Sequence, residues 1–181
     1  MVQKSIPAVF MRGGTSKALM FHVRDLPADR DAWTPLFLAA IGAPDPNGRQ
    51  LDGMGGGVSS LSKVCVIGPP TRADADVDYT FAQIGVREPV VDYGGNCGNM
   101  SSAIGPFAVD EGLVPVAANG PAVVRIHNTN TGKIIRAHFQ VVRGKAAVSG
   151  GLVIDGVAGS GAPIRLEFME PGGSKTGELL P

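Results

Sequence analysis

Two side chains stand where proton-transfer chemistry is available. Cys97 lies in Asp92-Tyr-Gly-Gly-Asn-Cys97-Gly-Asn-Met100, a thiol among small residues just ahead of an apolar segment. A thiol so placed can exchange a proton or act as a nucleophile; the plainer reading is a small buried packing residue. Lys63 stands in Ser59-Ser-Leu-Ser-Lys63-Val-Cys-Val-Ile67, at the mouth of an apolar strand. There a lysine is either a solvated edge residue or a desolvated amine that has lost part of its basicity and can serve as a general base. The local sequence leaves both open.

Other motifs carry less. Gly53-Met-Gly-Gly-Gly57 lacks the third glycine of a dinucleotide fingerprint, where Val58 stands, and no helical pattern follows. Gly13-Gly-Thr-Ser-Lys17 misses the spacing of a phosphate loop and runs into a strand. Both clusters still offer backbone amides to an anionic substrate. His22, His127 and His138 are scattered without metal-ligand spacing, so no metal is expected. There is no G-x-S-x-G elbow, and Asp110 and Glu111 read as the end of a helix rather than an acid/base pair.

The element that must position Cys97 is the run that follows it. No charged side chain occurs between Asp92 and Asp110, while Met100, Ala103, Ile104, Phe107 and Ala108 recur with helical spacing. A helix without a charged face is enclosed, and a curved sheet is its natural enclosure. Asn96 or Cys97 caps it, leaving the amides of Gly98, Asn99 and Met100 free to favour a carboxylate. Pro106 falls inside the run and predicts a kink held by tertiary packing.

Around it, Lys4 to Met11 and Ala18 to Val23 read as strands joined by a longer loop over 12–17. Trp33, Leu36, Phe37, Ala40 and Ile41 give an outer amphipathic helix, opened by Asp29 or Asp31 and closed by Gly42. Strands are expected at 62–68, 77–84, 88–92, 122–128, 133–142, 146–148 and 164–168, with a hairpin turn at 128–132. Two helices among eight or more strands is an α+β count. No strand-helix-strand rhythm is visible, which argues against a dinucleotide-binding domain.

The chain has 181 residues, 44% of them hydrophobic, enough for one ordinary core. Sixteen basic and 16 acidic side chains balance without a basic cluster, so neither nucleic acid nor an anionic membrane surface is an expected partner. Residues 1–7 lack the core of a signal peptide and no window reaches the length of a membrane span, so the cytoplasm is the expected location. Cys65 and Cys97 are expected to remain reduced there.

In order along the chain, Met11-Arg-Gly-Gly-Thr-Ser-Lys17, Asp52-Gly-Met-Gly-Gly, Ser60-Leu-Ser-Lys63-Val, Asp92-Tyr-Gly-Gly-Asn-Cys97-Gly-Asn-Met100 and Gly105-Pro-Phe-Ala108 resemble the PrpF family, which includes methylaconitate and methylitaconate isomerases and oxalomesaconate tautomerase. The Cys97-Gly98-Asn99 triplet is also similar to the cysteine motif of diaminopimelate epimerase, although Met100 replaces a glycine. The resemblance implies a diaminopimelate epimerase-like lobe, a mostly antiparallel barrel-like sheet wrapped around a central helix. It implies a cofactor-free proton shift in a small unsaturated di- or tricarboxylic acid, with Lys63 and Cys97 as acid/base residues. Asn96, Gly98, Asn99 and Met100 would hold a carboxylate or enolate, and Arg12, Thr15, Ser16 and Lys17 a second carboxylate.

Family members have two similar lobes, and this chain corresponds to the first. Residues 1–170 are expected to form that lobe and 171–181 a connector toward a second. The site would then be completed by that lobe or by self-association. Two further readings are a non-catalytic carboxylate-binding or assembly module, and an amino-acid epimerase or racemase whose second cysteine comes from elsewhere.

Overall fold

The structure is a computed structural model that describes residues 3–173 and 176–178; part of the expected connector, 174, 175 and 179–181, lies outside the described residues. Among the described residues nine strands form one sheet: β1 Val9–Gly13, β2 Ser16–His22, β3 Lys63–Gly68, β4 Val77–Ile84, β5 Val91–Asp92, β6 Asn119–Asn128, β7 Lys133–Val142, β8 Lys145–Ala146 and β9 Arg165–Phe168. Its main path runs β1-β2-β3-β4-β6-β7-β8, with β5 on β4 and β9 on β7. Two α-helices, α1 Trp33–Ile41 and α2 Gly98–Asp110, complete the α+β lobe.

The strand alternation explains the layers. In β2 and β3, Ala18, Met20, Cys65 and Ile67 point into the core around α2, while Leu19, Phe21, Val64 and Val66 point into a second core under α1. These strands are buried on both faces and read as continuous apolar runs. By contrast, β6 and β7 alternate between buried and exposed residues, because their outer face meets solvent. Ala122, Val124, Ile126, Ile135, Ala137 and Phe139 close the sheet over α2.

α2 occupies the place its composition requires. From Met100 to Val109 every residue except Ser102 is buried. Gly105 allows the closest approach: a Cβ there would lie 2.8 Å from a Phe139 ring carbon and 2.9 Å from the Ala137 methyl. Pro106 is accommodated inside the helix and is buried. α1 begins after a short 3₁₀ turn that Asp29 caps by accepting from the Asp31 amide, and ends at Gly42 with φ 79°.

Besides shorter strands than expected at 88–92 (β5 is only Val91–Asp92) and 146–148 (β8 is Lys145–Ala146), three details differ from the sequence reading. The turn between β1 and β2 is only Gly14-Thr15, since Gly13 pairs with Ser16 and Gly14 takes φ 52°, so both strands extend into the expected loop. β1 starts at Val9 rather than Lys4. The sheet also holds two parallel pairs, β2–β3 and β4–β6, each joined through a helix, α1 and α2 respectively. Strand-helix-strand connections are therefore present; the long loop segments around both helices hide them in the sequence. All other pairs are antiparallel. No helix among the described residues is long and apolar enough to cross a membrane.

Candidate functional site

Cys97 is the N-cap of α2, extended at φ −108° and ψ 106°, and half-buried. Its carbonyl accepts the first helical bond from the Ser101 amide at 2.9 Å, so the amides of Gly98, Asn99 and Met100 have no acceptor within the helix. Gly98 and Asn99 are exposed, whereas the Met100 side chain belongs to the core, leaving only its backbone to face a ligand. The helix start therefore presents a thiol and three oriented N–H groups.

The β1–β2 turn lies against this helix start. The Cys97 Sγ is 4.0 Å from the Ser16 hydroxyl, and Asn99 Nδ2 donates to Thr15 Oγ1 at 3.0 Å. Gly13 makes the approach possible: a Cβ there would overlap the Asn99 carbonyl and stand 3.1 Å from the Met100 Cα. Asn96 is not the cap. It supports the loop from below, its Oδ1 accepting from Ser101 Oγ at 3.1 Å and from Asn128 Nδ2 at 3.4 Å. Asn130 anchors the same loop, donating to the Tyr93 and Phe81 carbonyls at 2.8 Å.

Lys63 opens β3, opposite Ala18 on β2 and Gln83 on β4. Two residues before Cys65 on the same face, it points to the α2 side and is only 7% exposed. It is thus no solvated edge residue. Its Nζ donates to Gln83 Oε1 and lies 5.3 Å from the centre of the Phe81 ring. Lys63 and Ser16 project from neighbouring strands on one face of the sheet, two residues apart in register. Lys63, Ser16 and Cys97 therefore gather at the end of the lobe where α2 starts.

The buried thiol of Cys65 marks the same neighbourhood. Burial pushes it well above the usual thiol range, the Tyr79 hydroxyl opposes this, and Cys97 and Lys63 both act on it through space. Burial likewise raises Tyr79 well above the phenol range, with Cys65 and Cys97 adding to the shift. Both groups stay protonated and neutral under the site. Both cysteines are free.

Arg12 and Lys17 do not join this group. They pair across β1 and β2 on the face opposite Ser16 and Ala18, where Lys17 Nζ stacks 5.4 Å from the Phe10 ring. Arg12 Nη1 donates to the Gly14 carbonyl at 2.8 Å and lies beside the 152–162 excursion. The two-residue period of a strand separates residues that adjacency in the sequence suggested would act together. The three histidines each meet a carboxylate, His22 with Glu111, His127 with Asp78 and His138 with Glu167, at 3.0, 2.9 and 3.0 Å. Among the described residues no group of three His, Cys, Asp or Glu side chains is arranged to hold a metal ion. Gln83, Asn128 and Asn130 were not singled out in the sequence: an amide on a strand or turn carries no local mark of the partner it will meet.

The chain is similar over nearly its whole length to known proteins. The chain is 49% identical over 179 residues to 3-methylitaconate isomerase of Eubacterium barkeri, covering 99% of this chain and 46% of that protein. It is 46% identical over 182 residues to 4-oxalomesaconate tautomerase of Pseudomonas putida, covering 100% and 49%. The crystal structure of a methylitaconate-delta-isomerase superposes with a TM-score of 0.89 at 48% identity, over 96% of this chain and 44% of that one. A probable proline racemase from Agrobacterium radiobacter K84 shares the fold at 14% identity, with a TM-score of 0.51 over 79% of this chain and 40% of that one. The chain thus spans about half the length of the curated relatives it matches. Residues 3–181 match the PrpF protein family, and the chain belongs to it.

Proposed function

We propose that this chain forms the proton-moving lobe of an isomerase acting on a small unsaturated di- or tricarboxylic acid of the methylitaconate, 2-methylaconitate or oxalomesaconate type. What supports this reading is a buried lysine on the sheet face that also carries Ser16, with the Cys97 thiol 4.0 Å from the Ser16 hydroxyl at a helix start whose first amides have no acceptor within the helix. In the substrate, a carbon next to the double bond bears a proton made acidic by delocalisation into a carboxylate or keto group. Lys63 removes it. The negative charge spreads into the carboxylate, which the amides of Gly98, Asn99 and Met100 hold at the positive end of α2. Cys97 stands at the same helix end as the second acid/base group and returns a proton at the other end of the allylic system.

The hydroxyls of Thr15 and Ser16 complete the polar wall, with Asn96 holding the loop. No cofactor is needed in this scheme, because the substrate's own carboxylate takes up the charge. A second lobe, from the rest of a longer chain or from another copy, would cover the open side and exclude water; 171–181 would lead toward it. Proton NMR in heavy water tests the reading with methylitaconate, 2-methylaconitate, cis-aconitate and oxalomesaconate as substrates. Deuterium entering one of these acids in the presence of the chain is the expected result. Tight binding of a tricarboxylate with no exchange would favour a carboxylate-binding module instead.

A further inference from the structure

Gln83 holds Lys63 through a geometry that allows it only one orientation. Its Nε2 shares its two hydrogens among three backbone carbonyls, those of Ser62 at 2.9 Å, Ser59 at 3.0 Å and Ile84 at 3.3 Å. If the carboxamide were turned over, its oxygen would face those acceptors with no proton between them. Oε1 is therefore compelled to face Lys63, whose Nζ donates to it across the β3–β4 register. The Phe81 ring lies 5.3 Å from the same nitrogen.

We infer that Gln83 is a positioning residue for the base: it fixes the Lys63 nitrogen through one hydrogen and leaves its remaining valences directed toward the substrate. This rests on the reading of Lys63 as the base. The amide oxygen and the aromatic face hold the nitrogen in place without adding a charge beside it. The titratable groups on the same face are Cys65, Tyr79 and Cys97. Asp92 pairs with Gln83 across β4–β5, and its Oδ1 is turned back to the Gly94 amide at 2.7 Å. Burial keeps Cys65 and Tyr79 neutral, which leaves the amide as the polar group bonded to Nζ. Two of the three carbonyls that orient Gln83 belong to Ser59 and Ser62, so the segment after the Gly53–Gly57 cluster also meets the base through this side chain.

The test compares the full chain with Gln83→Met, which keeps the length and loses the acceptor, and Gln83→Asn, whose carboxamide is too short to reach both Nζ and the Ser59 and Ser62 carbonyls. Two readouts are followed: deuterium incorporation from heavy water against substrate concentration, which separates kcat from KM, and the inequivalence of the two Lys63 Hε protons in lysine-labelled protein, which reports a fixed amine. In both variants kcat falls by at least about tenfold with KM little changed, and the two Hε signals merge. Parent kcat with the Hε signals still distinct overturns the assignment, and if Gln83→Met does not fold, that result in Gln83→Asn does so alone. A parent chain that exchanges no deuterium counts against the isomerase reading, while the Hε signals still decide the role of Gln83.

Discussion

The Cys97 thiol lies 4.0 Å from the Ser16 hydroxyl across 81 positions of sequence. One group ends a strand hairpin and the other caps the buried helix, so this contact joins the sheet to the helix start. With the Asn99–Thr15 hydrogen bond at 3.0 Å it fixes where the helix amides point relative to the sheet face that carries Lys63. The close backbone approach depends on Gly13, where any side chain would strike the first turn of α2.

Gly13→Ala therefore separates the hairpin from the helix start. Its overlap is with backbone atoms that have no rotamer to yield, and the expected loss of stability is about 1–3 kcal/mol. Denaturant unfolding measures it. Deuterium exchange should fall together with stability, and a variant as stable as the parent would show that the hairpin does not rest on α2 as described.

The two cysteines should differ in reactivity. Cys65 is fully buried and burial holds its thiol protonated, whereas Cys97 is half-buried at a helix end. Iodoacetamide is expected to modify Cys97 alone in the native chain and both after unfolding, as read by peptide mass spectrometry. Labelling of Cys65 at a comparable rate under native conditions would contradict the core packing.

Much of this site was legible before the structure. The stretch from Asp92 to Asp110 without charge required an enclosed helix, and the small residues before it placed Cys97 at its entry, with a reactive thiol and a buried packing residue both left open. Lys63 was left open between two readings because only the strands on either side decide whether a residue at a strand's mouth is desolvated. The face of Lys17 was lost for a specific reason: with 12–17 taken as a loop, the strand period that turns Lys17 away from Ser16 was not applied. The parallel pairs and the amide of Gln83 depend on contacts between distant segments, which local spacing does not encode.

An ion pair away from the site, Asp76 with Arg125, should make stability depend on pH. Burial raises the Asp76 carboxyl, but the hydrogen bonds and charge of Arg125 outweigh it and hold the group below the ordinary value of 3.8. Its contribution is present above that value and is lost as pH falls through the lowered folded value. Asp76→Asn should be less stable than the parent at neutral pH, with the gap closing in thermal melts as the pH is taken progressively below 3.8. A gap that stays constant down to pH 2 would show that the ion pair contributes nothing.

The most direct measurement is the rate at which Lys63→Ala introduces solvent deuterium into whichever unsaturated acid the parent chain exchanges. The side chain removed is the proposed base, and general-base contributions are typically about 100- to 10,000-fold. Substrate binding, followed by line broadening of the acid's signals, should persist, since the helix amides and the Thr15 and Ser16 hydroxyls remain. A fall in exchange of at least about 100-fold with binding retained is the expected result. Exchange at the parent rate in Lys63→Ala would contradict the assignment of the lysine as the group that moves the proton.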